Sequence, residues 1–203
     1  HVKWDFRLDN VLSISTSGHK YGLVYPGLGW VIWKDKKYLP SEMAFSVNYL
    51  GADITQVGLN FSRPAAQVLG QYYQFIRLGF QGYKAIQQNS MEIAEYLHEE
   101  IGKMPQFKNY SSEVTNPLFI WEMKGEYAKQ CKWTLYDLQD KLKQNGWMVP
   151  AYTLPTTLEK TIVMRIVVRQ GFSRDMADQL LGDIKAAVAD LDKLQYPTPS
   201  RQS

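Results

Sequence analysis

Apolar and hydroxyl-bearing residues alternate from Val11 to Ser15, the period-two pattern of a short strand. The strand runs into a polar turn, Thr16-Ser17-Gly18-His19-Lys20, and then into a Pro/Gly-rich bend at Tyr25-Pro26-Gly27-Leu28-Gly29. Trp30-Val31-Ile32-Trp33 reads as a second strand that stops at Lys34-Asp35. Together these predict a hairpin-like frame with His19 and Lys20 at its edge. Residues 40–63 show neither period over a useful length, so a long loop is expected there, of the kind that is usually functional. From Pro64 the pattern turns helical: Leu69, Tyr72, Tyr73, Ile76 and Phe80, then Tyr83, Ile86, Ile93, Leu97 and Ile101. Gly79 and Gly82 are expected to bend or divide this region, and its aromatics to serve packing.

A composition shift at Lys103-Met104-Pro105 marks the predicted domain boundary. Beyond it, Leu118-Phe119-Ile120-Trp121 reads as a strand. Thr134 with Asp137 resembles a capping box ahead of an apolar stripe at Leu135, Leu138 and Leu142, and Gly146 suits the end of that helix. Thr161 to Val168 reads as a strand. Ser173 caps a last helix with Met176, Leu180, Ile184, Val188 and Leu191 on one face. Tyr196-Pro197-Thr198-Pro199-Ser200 is expected to be a loose tail. Strand and helix alternate after residue 105, which predicts a small α/β domain over 105–203 following a first region over 1–104.

Composition narrows the class. The 203 residues are 45% hydrophobic and 21% charged, with six Trp and thirteen Tyr, enough for a packed core. A net charge of +3 without long basic blocks gives no reason to expect a nucleic-acid partner. No apolar run approaches the roughly eighteen residues of a membrane helix, and no signal peptide is visible. The lone Cys131 has no disulfide or metal-ligand spacing and is expected to be incidental; a reducing, cytoplasmic setting is the default.

The densest chemistry lies in Ser13-Ile14-Ser15-Thr16-Ser17-Gly18-His19-Lys20. A lysine amine is a nucleophile only when neutral, and burial or a nearby positive charge frees it. Such a lysine suits covalent attachment to an aldehyde cofactor. Ser17 offers a donor to a phosphate and Gly18 lets backbone approach one, while His19 could donate to the phosphate or lie against the cofactor. A solvated serine-rich turn is the plain alternative. Arg165 sits inside the apolar run Thr161-Ile162-Val163-Met164-Arg165-Ile166-Val167-Val168, where a guanidinium asks for an anion, best a carboxylate. That carboxylate belongs either to a ligand or to a salt bridge within the domain.

The string from Ser13 through Lys20 to Tyr21-Gly22-Leu23, followed by Gly29-Trp30-Val31-Ile32-Trp33, resembles the cofactor-lysine segment of glutamate decarboxylases, members of the group II pyridoxal-phosphate decarboxylases. Asn48-Tyr49-Leu50-Gly51, Asn60-Phe61-Ser62-Arg63-Pro64 and Val163-Met164-Arg165-Ile166 match in order, so the resemblance runs from Trp4 to about Leu191. It implies part of a fold-type I pyridoxal-phosphate-dependent transferase-like large domain over 1–104, with a catalytic loop at about 43–62 and a helical linker at 64–103, followed by the small C-terminal α/β domain. It implies pyridoxal 5'-phosphate held covalently by Lys20 as a Schiff base, with His19 and Ser17 at the cofactor and Ser17 on its phosphate. Ser62 would reach the phosphate in a second copy of the chain and Phe61 would line that neighbour's site, making the enzyme a homodimer or higher oligomer. Tyr49 would return a proton after carbon dioxide leaves, and Arg165 would bind the α-carboxylate of L-glutamate, the product being γ-aminobutyrate.

The resemblance is incomplete. The family's aspartate for the pyridine nitrogen lies farther upstream of the lysine than this sequence reaches, and Asp5 and Asp9 do not match its motif. The expectation is therefore a C-terminal portion of a longer enzyme, inactive by itself. Two other readings stand beside it: another group II decarboxylase acting on a different amino acid, and a non-catalytic interaction domain of the same fold.

Overall fold

The computed structural model describes residues 3–49, 52–56 and 64–202. The chain divides into two compact units, residues 1–82 and 83–203.

In the first unit, β1 (Ser13–Ser17) pairs antiparallel with β2 (Gly29–Trp33), in a register that sets Ser13 opposite Trp33 and Ser17 opposite Gly29. The expected hairpin frame is therefore present, with residues 18–28 as its long connection. The expected loop over 40–63 is partly replaced by a second antiparallel pair, β3 (Phe45–Tyr49) and β4 (Ala52–Gln56), with Phe45 opposite Gln56 and Tyr49 opposite Ala52. Each strand is only five residues long, with Phe45, Val47 and Tyr49 at period two in the first.

A long helix, α1 (Ala66–Lys103), follows, and its backbone leaves helical geometry at Gly79 (φ 56°, ψ −169°). Glycine is the residue that adopts this conformation readily, so the expected division falls on Gly79. The later part of α1 belongs to the second unit. Its Ile93, Leu97 and Ile101 enter that unit's core, which is why the two units part near Gly82 and not at the composition shift at 103–105.

The second unit is built on a four-stranded antiparallel sheet in the order β5-β6-β8-β7, from β5 (Phe107–Asn109), β6 (Leu118–Met123), β7 (Ala151–Thr153) and β8 (Ile162–Val167). Its helices are α2 (Gly125–Gln130), α3 (Leu135–Gln144), α4 (Arg174–Leu191) and the short α5 (Pro199–Gln202). Thr134 and Asp137 form the expected capping box of α3, Asp137 accepting from the Thr134 backbone N–H at 2.7 Å. Gly146, at φ 86°, ends it: Trp147 N–H reaches back to Leu142 C=O and Gly146 N–H to Lys143 C=O, the double bond of a Schellman cap. Ser173 accepts from Met176 N–H at the start of α4. The buried stripe of α4 is broader than expected. It includes Ala177, Leu181 and Ala187, while Met176 is exposed.

The C-terminal segment corrects the expectation of a loose tail. Thr198 N–H bonds to Lys132 C=O at 2.8 Å, Lys132 Nζ donates to Gln195 C=O, and the hydroxyls of Thr198 and Ser200 both donate to Asp137 Oδ2. Burial by itself would raise the Asp137 carboxyl, but the hydrogen bonds from Ser200, Thr134 and Thr198 outweigh it and hold Asp137 below the ordinary carboxylate value.

Candidate active site

The polar turn that leaves β1 is tightly wound. Gly18 is buried; its N–H donates to Leu28 C=O at 3.0 Å and its C=O accepts from Val24 N–H at 3.3 Å. A Cβ at Gly18 would meet Leu28 O at 3.0 Å and Val24 Cγ2 at 3.1 Å, so the close approach of backbone here needs glycine. Lys20 N–H bonds to Ser17 C=O at 3.2 Å, and Leu23 N–H to Lys20 C=O at 3.4 Å. Ser17, His19 and Lys20 are thereby held on one tightly bonded stretch of backbone. Ser17 and His19 are half-buried and Lys20 is exposed. The burial that would free the lysine amine is not supplied by the described residues of this unit. Leu23 carries a positive φ of 61°, an uncommon state for a branched residue.

The turn rests on α1 through side chains that sequence reading passed over. Gln71 is 0% exposed and donates to Gly22 C=O at 2.8 Å, and its Oε1 accepts from the Trp30 indole at 3.3 Å. Gln67 accepts from Tyr25 N–H at 3.0 Å, and Gln74 donates to Leu23 C=O at 3.3 Å. The signal was present: glutamines at positions 67, 71 and 74 fall on one helical face. The neighbouring aromatics, expected to pack, are instead exposed within this unit, Tyr72 at 65% and Phe80 at 78% among them.

Tyr49 is the last residue of β3. Phe61 and Ser62 lie outside the described residues. Arg165 sits in β8, opposite Ile120 of β6, and is exposed, alternating with the buried Met164 and Ile166. Its guanidinium carbon lies 5.8 Å from the centroid of the Tyr152 ring. Among the described residues it makes no ion pair, so the alternative of a salt bridge within the domain is not realised there. The alternating face, not an apolar interior, accommodates the charge.

Asp5 is committed to Arg7 at 2.8 Å, and the hydrogen bond from Arg7 lowers its carboxyl from the ordinary value. Asp9 is 4.0 Å from Lys34. Neither is arranged as the missing acidic partner for a pyridine nitrogen. Cys131 is half-buried, its thiol directed at Trp133 C=O at 3.2 Å, as suits an incidental residue. A cavity of about 450 Å³ in the second unit is lined by Glu100, Lys103, Gln106, Lys185 and Asp192 among others, none of them a predicted site residue. No cluster of metal-ligating side chains occurs among the described residues. No described helix is long and apolar enough to cross a membrane.

The donor set of the turn fits a phosphorylated aldehyde in part. It offers one primary amine for the aldehyde and, within three residues, a hydroxyl and an imidazole for an anion. The acidic partner for a ring nitrogen is not among the described residues of this turn.

Comparison with known proteins places the chain in a family. Residues 1–124 match the pyridoxal-dependent decarboxylase conserved domain. The chain is 48% identical over 192 residues to a glutamate decarboxylase of Lactococcus lactis subsp. cremoris, covering 95% of this chain and 41% of that protein. It is 44% identical over 200 residues to the glutamate decarboxylase of Solanum lycopersicum, covering 98% of this chain and 39% of that one. The solved structure of the Lactobacillus brevis glutamate decarboxylase superposes with a TM-score of 0.86 at 46% identity, over 95% of this chain and 43% of that one. A Burkholderia pseudomallei sphingosine-1-phosphate lyase, at 21% identity and TM-score 0.73, shares the fold. The chain thus spans about two-fifths of the length of the relatives it matches.

Proposed function

This chain belongs to the pyridoxal-dependent decarboxylase family, with the α/β architecture of fold-type I pyridoxal-phosphate enzymes, and we propose that it is the C-terminal portion of a glutamate decarboxylase. The observation that carries this reading is the 48% identity over 192 of its residues to an enzyme of that name, through the turn that holds Lys20. The reaction converts L-glutamate to 4-aminobutanoate and carbon dioxide.

When bound, pyridoxal 5'-phosphate supplies the electron sink for the pair left on the α-carbon as carbon dioxide departs. Lys20 would hold it covalently through its amine. Ser17 would donate to its phosphate, and His19 would contact it from the same turn. Arg165 receives the substrate's α-carboxylate through its planar fork and so fixes the bond to be broken. Its exposure on β8, and the lack of an ion-pair partner among the described residues, support that role. Tyr49 carries the proton to the α-carbon; a phenol at the end of a strand suits delivery while water is excluded. Ser62 and Phe61 serve the site of a second copy, so the working enzyme is a homodimer or larger. A lone cysteine and the lack of a membrane-crossing helix among the described residues support a cytoplasmic location.

The segment 1–203 by itself is expected to be inactive, because the pyridine-nitrogen acid and the groups that read the side-chain carboxylate are not in it. Borohydride reduction of the full-length enzyme with cofactor present should leave a mass adduct on Lys20. Product analysis across acidic, aromatic and diamino acids should find 4-aminobutanoate in excess. An unmodified Lys20 would defeat the enzymatic reading, and a different dominant amine would reassign the substrate.

A further inference from the structure

We infer that Gln71 is a positioning residue, its buried carboxamide fixing the Lys20 turn against α1, with Gln67 and Gln74 as weaker supports on the same face. The inference rests on the proposed role of Lys20 and deepens it. A carboxamide with no exposure is retained only where its donor and acceptor are both used. Here the donor holds Gly22 C=O and the acceptor takes the Trp30 indole, so one side chain joins the helix to the turn and to β2. Gly22 lies two residues beyond Lys20. A Cβ there would stand 2.2 Å from Gln71 Oε1 and 2.6 Å from Gly18 O, so turn and amide are in direct contact and neither can shift alone. The next residue, Leu23, is held in its left-handed state with Gln74 bonded to its carbonyl at 3.3 Å. On the other side of Lys20, Gly18 is bound by Leu28 and Val24. Lys20 therefore stands between two anchored glycines. The anchor on the far side is made by side chains, not by a sheet ladder. Trp30 is further steadied by Phe75 of α1, ring centroids 5.5 Å apart.

The test uses the full-length enzyme carrying Gln71→Met, which keeps the volume and removes the amide. Three quantities are read: amide exchange of residues 22–30, the pH midpoint of the bound cofactor's visible absorbance, and kcat separately from KM. The expected result is exchange faster by about tenfold in that segment, a midpoint moved by about half a pH unit or more, and kcat lower by about tenfold with KM little changed. A lowered melting temperature with exchange, midpoint and kcat all unchanged overturns the inference, since a purely structural amide would behave so. Should Gln71→Met fail to fold, Gln74→Met, which loses only the bond to Leu23, must shift the same quantities in the same direction, and no shift overturns it. Wild-type enzyme whose Lys20 escapes borohydride labelling sinks the cofactor reading. A labelled wild type with an indistinguishable variant sinks only the role of Gln71. Exchange is read on apoenzyme as well, so it bears on the anchoring in either case.

Discussion

The second unit closes over Trp121, Trp133, Phe107 and Phe119, all 2% exposed or less, whereas the first encloses a glutamine and leaves Tyr72, Tyr73, Ile76 and Phe80 outside. The buried hydrophobic side chains of the described residues all lie between Ile93 and Leu191. The two parts of α1 make the contrast within one helix. Beyond Gly82, Ile93, Leu97 and Ile101 face inward, as an amphipathic helix should place them. Before Gly79 the inward positions include Gln67, Gln71 and Gln74, while Leu69, Tyr72, Tyr73 and Ile76 face out. Periodicity reveals that a helix has two faces; it does not reveal which face the nearest neighbour will take. An exposed stripe of this size is unusual for a surface that stays bare, and the chain spans only 41% of the length of a relative it matches.

That contrast can be broken outright by separating the units. Residues 83–203 produced alone should melt cooperatively with near-ultraviolet dichroism from their buried tryptophans, and residues 1–82 alone should not. A cooperative transition in the smaller piece would mean that its apolar face finds an internal partner. Next in size are point changes. Trp121→Ala should destabilise the second unit by about 3–5 kcal/mol in urea unfolding, whereas Ile76→Ser in this chain should stay within about 0.5 kcal/mol and improve solubility. A loss at Ile76 comparable to that at Trp121 would show the stripe to be covered.

Asp137 gives a smaller, pH-dependent effect. Its folded-state value is lowered, so its contribution is complete above the ordinary carboxylate value and is lost as pH falls through the lowered one. Protection of the tail from carboxypeptidase should therefore be flat at neutral pH and fall only below about pH 4. Asp137→Asn should cost about 1–2 kcal/mol and loosen the tail at every pH. Smallest of all, Lys103→Ala should change stability by no more than about 0.5 kcal/mol, because Lys103 and its partner Glu99 are solvent-exposed and Glu100 is only half-buried.

Much of the second unit was legible. Thr134-Asp137, Gly146 and Ser173 carry local rules that depend on few neighbours, and the structure obeys each one. The β1–β2 frame was legible for the same reason, and its strands pair in a single antiparallel register. What escaped depends on distant partners. β3 and β4 were too short to stand out against a loop. Arg165 looked buried because its neighbours are apolar, but a sheet has a second face and Arg165 takes it. The glutamine face of α1 escaped because its meaning lies in the backbone carbonyls and amides of residues 22–25, which no side-chain pattern displays.

One oxygen of Asp137 has a consequence for how α3 and the end of the chain influence each other. The Thr134 N–H, the Thr134 hydroxyl, the Thr198 hydroxyl and the Ser200 hydroxyl all converge on Oδ2. An sp² oxygen has two lone pairs, so these donors are rivals. Clipping the chain before Thr198 should then shorten the surviving bond at the head of α3 and quieten its first turn, an instance in which losing residues at one end makes a helix elsewhere begin more firmly.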